Sequence, residues 1–308
     1  MSVAARQFFL PWREPYDWAT MLEHLAQRAI SGVEVVANGC YRRTLSCAGQ
    51  AGTVEIAPAP GRAGLAVTLN IAGPHALPAV ARQVEHLGGL DADIATMKVQ
   101  LAAADPVLAR LIAQRPGLRV PGGWDAFELA IRAVLGQQIT LAAARQLAGK
   151  LVTACGTKLD IAQHGDPHLR YLFPTPAQLA QIDFSVLGMP RTRAKALSSL
   201  AAAVLADPSL LRPAQSLEIS LARLRAVPGI GDWTAHYIAL RALGEPDAFP
   251  ASDVALLRAF QDNAGRRPTS RELLARAEAW RPWRAYAAQH LWTAGVGGAL
   301  APGDEDRT

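Results

Sequence analysis

The sequence predicts a mainly α protein that opens with a small α+β unit. Short β-prone runs separated by turn residues fill about the first 90 residues, whereas apolar residues recur at helical spacing through almost all of the chain after His75. The length of 308 residues also exceeds that of most single hydrophobic cores. We therefore expect two or more packed units, the first of them mixed and the rest helical.

The predicted α+β unit begins with one amphipathic helix. Its apolar residues recur at helical spacing from Asp17 to Ile30, and Asp17 is a suitable N-cap. Strands are predicted after this helix at residues 33–37, 41–45, 53–57 and 65–72. The turns between them are predicted at Asn38-Gly39, at Ala51-Gly52 and over residues 58–64.

The helical part of the chain is divided by glycine and proline. Helices are predicted near residues 75–88, 105–114, 124–137, 140–155, 176–183, 190–206, 216–226, 232–243, 253–260, 270–280 and 282–294. Because glycine and proline interrupt helices, their clusters between these segments mark the joints, as at 121–123 and 228–231.

The charge of the chain favours a polyanionic partner. The formal charge is +5 and the pI is near 9.4, which suits binding to phosphates, although an excess of arginine over lysine is also typical of some genomes. No uninterrupted apolar stretch approaches the ~20 residues of a membrane-spanning helix. The N-terminus lacks the cleavage site of a secretory signal, so we expect a cytoplasmic protein.

The cysteines give no support for a disulfide framework or a metal centre. Cys40, Cys47 and Cys155 are odd in number and lack the paired spacing of metal ligands. We therefore expect neither zinc nor an iron–sulfur cluster, and we interpret the three thiols as buried or inert.

Residues 224–240, LRAVPGIGDWTAHYIAL, place a Pro-Gly-Ile-Gly turn between two amphipathic helical stretches. Gly229 and Gly231 can adopt positive φ and let a ligand approach the backbone closely, while the next helix presents unpaired N–H groups. Such a turn can be a simple connection between helices. It is also suited to hold a phosphate oxygen, which would anchor DNA without reading its sequence.

Asp253 lies about 20 residues beyond this turn, within DAFPASDVALLRAF at 247–260, where it stands at the start of another amphipathic helix. An Asp at that place is ordinarily an N-cap. A helix N-terminus also favours the ionised carboxylate, which can stabilise positive charge developing on a sugar.

Trp233 and Tyr237, one helical turn apart, share a face and are typical either of a core or of a binding pocket.

The string VPGIGDWTA resembles the helix-hairpin-helix of a known family, the AlkA-type DNA-3-methyladenine glycosylases II of the HhH-GPD superfamily. The resemblance covers nearly the whole chain. Its other matching segments, in order, are PYDW at 15–18, VEVVA at 33–37, RPGLRVPGGWDAFELAIRAVLGQQ at 115–138, LGMPRTRAKAL at 187–197 and RPWRAYAAQHLW at 281–292.

The resemblance implies a two-lobed helical fold behind an N-terminal domain like the TATA-binding protein. The domains implied are an α+β domain at 1–94, a central helical domain with the hairpin at 126–246, and a second helical lobe formed by 95–125 and 247–300. The lobe would carry Asp253, and residues 301–308 would form an acidic tail.

The resemblance also implies roles for individual residues. Asp253 would be catalytic, and the pocket for the flipped base would be lined by Trp233, Tyr237 and Trp283. DNA would be bound by Gly229, Ile230 and Gly231, and Gln138 would fill the gap left by the base, where the family pattern has an apolar Leu. The backbone carbonyls of Arg225, Val227 and Ile230 would hold a monovalent cation, Na⁺ or K⁺, and no cofactor would be required.

The implied reaction is hydrolysis of the N-glycosidic bond of alkylated bases in double-stranded DNA, carried out by a monomer. A base alkylated on a ring nitrogen is already cationic and leaves without protonation, so one carboxylate suffices where glycosidases usually need two. Trp233 stands where bifunctional relatives have a lysine, and no lysine follows Lys195, which disfavours strand cleavage through a Schiff base. Ser252 and Val254 depart from the family pattern and leave the substrate range open.

Two alternatives remain open at this point. The chain could be a non-catalytic helix-hairpin-helix protein that binds damaged DNA, or a helix-hairpin-helix glycosylase that acts on other base lesions. For Gln138 the alternative is an ordinary residue at a helix end.

Overall fold

The computed structural model describes residues 5–71, 76–159, 166–262 and 264–296. The predicted tail at 301–308 lies outside the described residues, as do the ends of the first and last predicted domains at 1–4 and 297–300.

A five-stranded antiparallel sheet forms the N-terminal part of the fold. Its strands are β1 (Arg6–Pro11), β2 (Glu34–Ala37), β3 (Cys40–Cys47), β4 (Gln50–Pro58) and β5 (Gly64–Ile71), in the spatial order β1-β5-β4-β3-β2. The sequence pattern misses β1 because Phe8, Phe9 and Leu10 are consecutive apolar residues rather than alternating ones. This strand pairs with β5 at the edge of the sheet, with Phe8 opposite Val67.

One predicted turn is wrong. Ala51 and Gly52 lie inside β4, and the chain reverses instead at Ala48-Gly49, where the φ values are +50° and +77°. Gly52 has another purpose, because a Cβ atom there would lie 2.3 Å from the backbone oxygen of Asn70 in β5. A glycine needed for close strand approach therefore looks, in the sequence, like a turn.

The rest of the chain is helical. The helices are α1 (Trp18–Arg28), α2 (Ala76–Gly88), α3 (Ile94–Ala104), α4 (Pro106–Gln114), α5 (Ala126–Leu135), α6 (Leu141–Cys155), α7 (Pro176–Leu179), α8 (Arg191–Ala206), α9 (Leu217–Arg225), α10 (Asp232–Arg241), α11 (Val254–Ala259), α12 (Ser270–Ala277) and α13 (Arg284–Val296). Short 3₁₀ helices follow α7 and α12, at Phe184–Leu187 and Glu278–Trp280. The predicted fold class, mainly α with an N-terminal α+β part, is confirmed.

Helix α3 is the one long helix in the described part of the chain that the sequence pattern misses. Its buried side is formed by Ile94, Met97 and Leu101, and its N-terminus is capped by the Asp93 side chain, which accepts the Thr96 N–H. Val99 is 72% exposed on the opposite side, among alanines. Because apolar residues occur on both sides of the helix, the periodic contrast that reveals other helices is weak.

The buried apolar residues form two clusters. The first joins the sheet to α1 and α2, with Met21, Leu69 and Val84 among its members. The second lies mainly among the helices from α3 onward, includes Phe249 and Trp280, and takes in Ile30 and Val33 from the segment after α1. The division of the chain into the three predicted domains stays a prediction. Among the described residues, no helix combines the length and apolar character needed to cross a bilayer.

Candidate active site

Asp253 is the N-cap of α11. One carboxylate oxygen, Oδ1, accepts the backbone N–H groups of Ala255 at 3.0 Å and Leu256 at 3.1 Å. The capping interpretation of this residue is therefore correct as far as local structure goes. It is compatible with a chemical role, because the same two N–H groups hold the half-buried carboxylate in one orientation.

Two tryptophans from other helices also donate to this carboxylate. Trp233 in α10 donates its indole N–H to Oδ2 at 2.8 Å, and Trp292 in α13 donates to Oδ1 at 3.0 Å. A carboxylate offers about four lone-pair sites. Because Oδ1 receives three N–H groups and Oδ2 receives one, Oδ2 keeps acceptor capacity for a further charged or polar group.

The rings around Asp253 form a continuous aromatic surface. Trp233 stacks on Tyr237 with ring centroids 5.1 Å apart and planes 16° apart, and Tyr237 meets Trp292 edge-on at 6.2 Å. All three side chains are half-buried. Since Trp233 and Tyr237 are in direct stacking contact, a planar ligand would stack on an outer ring face rather than between them. Asp253, Trp233, Tyr237 and Trp292 together are called the carboxylate site below.

A buried arginine lies behind these rings. The Arg241 guanidinium is 5.7 Å from the Tyr237 ring and 5.1 Å from the Trp292 ring, and it donates to the Pro121 carbonyl and the Gln289 side chain. Burial lowers the pKa of Arg241 to about 10. Burial favours a raised pKa for the Tyr237 hydroxyl, but the charges of Arg241 and Arg28 outweigh it and the pKa is lowered.

The structure does not place Trp283 with the predicted pocket residues. Its indole N–H donates to Gln100 in α3, and its ring packs edge-on against Tyr286. Trp292 takes that place, although the sequence analysis does not single it out. No signal in the local sequence selects Trp292, because Gln289, three positions earlier on the same helix face, is recognised as buried only in the structure.

The hairpin turn, residues 227–231, joins α9 to α10. Gly229 has a φ of +91°, as expected for a glycine-dependent turn. The expectation of positive φ at Gly231 is wrong, because this residue has extended backbone with φ −83° and ψ 178°. Gly231 is the N-cap of α10 and makes no side-chain cap, which leaves the N–H groups of the first helical turn available.

The two glycines have different steric surroundings. A Cβ atom on Gly229 would lie 2.3 Å from the Ala196 Cβ atom in α8, whereas one on Gly231 would meet nothing within 4 Å. The Ile230 side chain between them is buried, so this residue can meet a ligand only through its backbone. Gly229 therefore allows the turn to pack on α8, and Gly231 keeps the helix N-terminus open.

Gln138 lies in the turn between α5 and α6. It is exposed and has a φ of +56°, which is uncommon for a residue with a side chain. In the part of the chain that the structure describes, no group of three or more His, Cys, Asp or Glu residues could hold a metal ion.

Comparisons with known proteins agree on one family. Residues 7–125 match the AlkA N-terminal domain, and residues 131–285 match the HhH-GPD superfamily base excision DNA repair protein. The chain is 37% identical over 288 residues to DNA-3-methyladenine glycosylase 2 of Escherichia coli, with 92% of this chain and 96% of that protein covered.

A second relative is a probable bifunctional transcriptional activator/DNA repair enzyme AlkA of Mycobacterium tuberculosis, 40% identical over 285 residues. The match covers 92% of this chain, which spans 56% of that relative's length. The solved 3-methyladenine DNA-glycosylase of Archaeoglobus fulgidus has a similar fold, with a TM-score of 0.79 at 21% identity and coverage of 94% of this chain and 98% of that chain. The chain therefore belongs to the HhH-GPD superfamily of base excision DNA repair proteins and carries an AlkA N-terminal domain.

Proposed function

We propose that the protein is a monofunctional DNA glycosylase that hydrolyses the N-glycosidic bond of alkylated bases in duplex DNA. The observation that carries the proposal is the convergence of Trp233, Trp292 and two backbone N–H groups on Asp253. The substrate class comes from the E. coli and A. fulgidus relatives, whose names specify 3-methyladenine. Release of 7-methylguanine is proposed as well, because it too is a cationic base.

The chemistry needs one anion rather than an acid and a base. When the bond from C1′ to the base nitrogen breaks, its electron pair leaves with the base, and a cationic base departs as a neutral molecule. Positive charge then develops on the sugar, where the Asp253 carboxylate stabilises it through Oδ2. Water adds to C1′ and loses its proton to solvent, which completes hydrolysis.

The aromatic surface supports recognition of such a base. An electron-rich ring attracts a cation stacked on its face, by roughly 0.5 to 2 kcal/mol. An attraction of that size corresponds to less than about a factor of thirty in affinity. We therefore infer a broad substrate range rather than a single lesion.

In this proposal the hairpin turn binds the phosphate backbone of DNA. The uncapped N-terminus of α10 offers N–H groups to one phosphate, and the base must be flipped out of the duplex to reach Asp253. A monovalent cation at the carbonyls of Arg225, Val227 and Ile230 is part of the proposal. The Val227 carbonyl accepts the Ile230 N–H at 3.0 Å and keeps a second lone pair, so this all-oxygen donor set fits Na⁺ or K⁺.

The deciding experiment measures free base released from methylated duplex DNA, with 3-methyladenine and 7-methylguanine assayed side by side. We expect both bases to be released and the DNA strand to remain intact. A protein that binds the duplex without releasing base would be a binding module. Strand cleavage at the lesion would instead require an amine nucleophile and would overturn the monofunctional assignment.

A further inference from the structure

The turn that contains Gln138 is hydrogen-bonded to the hairpin turn through the preceding residue, Gln137. The Gln137 amide nitrogen donates to the Gly229 carbonyl at 3.1 Å and to the Thr234 hydroxyl at 2.9 Å. An amide NH₂ group has two donors, and both are used here. Gln138, in contrast, is exposed and makes no side-chain hydrogen bond within the described residues.

The same turn is held from a second side by α8. Arg193 donates from its guanidinium to the Gln137 carbonyl at 2.6 Å. Helix α8 also contacts the hairpin turn directly, since Ala196 leaves no room for a side chain at Gly229. The turn with Gln138, the hairpin turn and α8 are therefore joined through Gln137 and Gly229.

The backbone at Gln138 needs such support. A residue with a side chain and positive φ is strained, and the strain persists only where the surroundings fix the conformation. Within the described residues Gln138 makes no side-chain hydrogen bond, so the turn is held by the hydrogen bonds at Gln137, whose amide donates to the hairpin and whose carbonyl accepts from Arg193.

We propose that Gln137 is a positioning residue that sets Gln138 at a fixed place relative to the phosphate-binding hairpin. When the hairpin turn binds a backbone phosphate, Gln138 is then already aligned with the gap that a flipped base leaves in the duplex. Gln137 cannot fill the gap itself while its amide is engaged. This inference rests on the proposed function, because it concerns the binding of duplex DNA that lacks a base.

The test is a double-mutant cycle on affinity for a duplex with a stable abasic-site analogue. The variants are Gln137→Ala, Gln138→Ala and the double variant, each with a melting curve and with undamaged duplex as reference. We expect each single variant to lose about tenfold in affinity for the abasic duplex, as for the loss of one or two hydrogen bonds. The double variant should lose no more than about threefold beyond either one, since the two side chains act in series.

Two further variants separate positioning from general stability. Thr234→Val removes one acceptor of the Gln137 amide and should weaken abasic-site binding in the same direction, by a smaller factor. Gln7→Ala is the matched control, because Gln7 in β1 also donates to a threonine hydroxyl, that of Thr68 in β5 of the N-terminal sheet. Its affinity for abasic duplex should equal that of the parent.

The outcomes decide between the two proposals. A Gln137→Ala variant that binds abasic duplex like the parent overturns the positioning role alone, while base release by the parent still supports the glycosylase. Additive losses in the double variant overturn it too, since they show that Gln137 and Gln138 act independently. A parent that neither releases base nor prefers abasic duplex overturns both proposals.

Discussion

The carboxylate site and the hairpin turn are built in opposite ways. At the carboxylate site, N–H groups from three helices converge on one charged side chain, Asp253. At the hairpin turn the important positions are glycines, which have no side chain. Gly229 folds the backbone into the turn, and Gly231 leaves the backbone N–H groups at the start of α10 exposed. The first region depends on what a side chain carries, and the second depends on side chains being absent.

This difference determines which substitutions are informative. At the carboxylate site an isosteric change that removes charge should affect chemistry and leave binding intact. At the hairpin turn, added atoms should affect binding or packing and leave chemistry intact once DNA is bound. Substitutions that violate this division would show that the two regions are not separate in function.

The largest effect is expected for Asp253→Asn. The change keeps the size and much of the helix capping but removes the negative charge that stabilises the sugar. Single-turnover release of 3-methyladenine should fall on the order of a hundredfold or more, as when a preorganised charge partner is lost. Affinity for abasic duplex should change little, and the melting temperature should fall by a few degrees, because the single amide oxygen of Asn can accept the N–H groups at Oδ1 but not the Trp233 N–H as well. Asp93→Asn, which alters another N-cap distant in sequence, is the control and should release base at the parental rate.

An Asp253→Asn variant that excised base at nearly the parental rate would leave Asp253 as a helix cap. The catalytic group would then lie elsewhere, and the contrast between the two regions would disappear.

The second effect concerns His236, which connects the two regions. Its Nδ1 atom accepts the Phe249 N–H at 3.1 Å, so it links the helix after the hairpin turn to the segment that leads to Asp253. Burial lowers the pKa of His236 to about 4, so the folded protein holds this residue neutral. Because the unfolded chain binds a proton near pH 6.5, the stability from this residue is complete above that pH. It is lost as the pH falls toward 4, by up to about 3 kcal/mol.

Urea unfolding between pH 7 and pH 4 would measure this effect. His236→Asn keeps an acceptor near Nδ1 but cannot be protonated, so its free energy of unfolding should fall less over this range than that of the parent. His168→Asn, at an exposed histidine, should follow the parental curve. Identical slopes for His236→Asn and the parent would show that His236 is not held neutral by the fold.

The sequence predicts the parts of this site that are local. Asp253 as a helix start, the glycine turn, and Trp233 with Tyr237 on one helix face all follow from spacing within a single segment, and the structure brings Asp253 and both rings together. Trp292 lies 39 positions from Asp253, and nothing in local spacing selects it over Trp283. The conformation of Gly231 is not predicted correctly either. A glycine can be required because a ligand must approach the backbone as well as because φ is positive, and the sequence does not distinguish these two requirements.

The third prediction compares substitutions at the two glycines of the hairpin turn, Gly231 and Gly229. Gly231→Asp should keep the fold, because the extended backbone and the helix start both accept an aspartate N-cap. Its carboxylate would occupy the N–H groups that the phosphate needs, so affinity for undamaged duplex should fall about tenfold or more at low salt. Gly231→Asn, which caps without charge, should bind more tightly than the aspartate variant.

Gly229→Ala should give the opposite result. Its Cβ atom would overlap Ala196, and φ is positive, so stability should fall by about 1 to 3 kcal/mol. Melting curves and binding measured on the same samples would distinguish the two cases. Equal affinity of Gly231→Asp and the parent would mean that the hairpin turn is a connection between helices and does not hold a phosphate.

The smallest effect on base release is expected for Trp292, which is compared with Trp283 in the same segment at 281–292. Trp292→Phe removes one of four N–H groups from the Asp253 carboxylate but keeps an aromatic ring beside Tyr237. Because three donors remain, base release should slow by only about threefold to about tenfold, with little change in affinity for abasic duplex. Trp283→Phe removes a comparable N–H bond, to Gln100, and should release base at nearly the parental rate. If Trp283→Phe slowed release more than Trp292→Phe did, the pocket would have to extend toward α3, and the carboxylate site defined here would be incomplete.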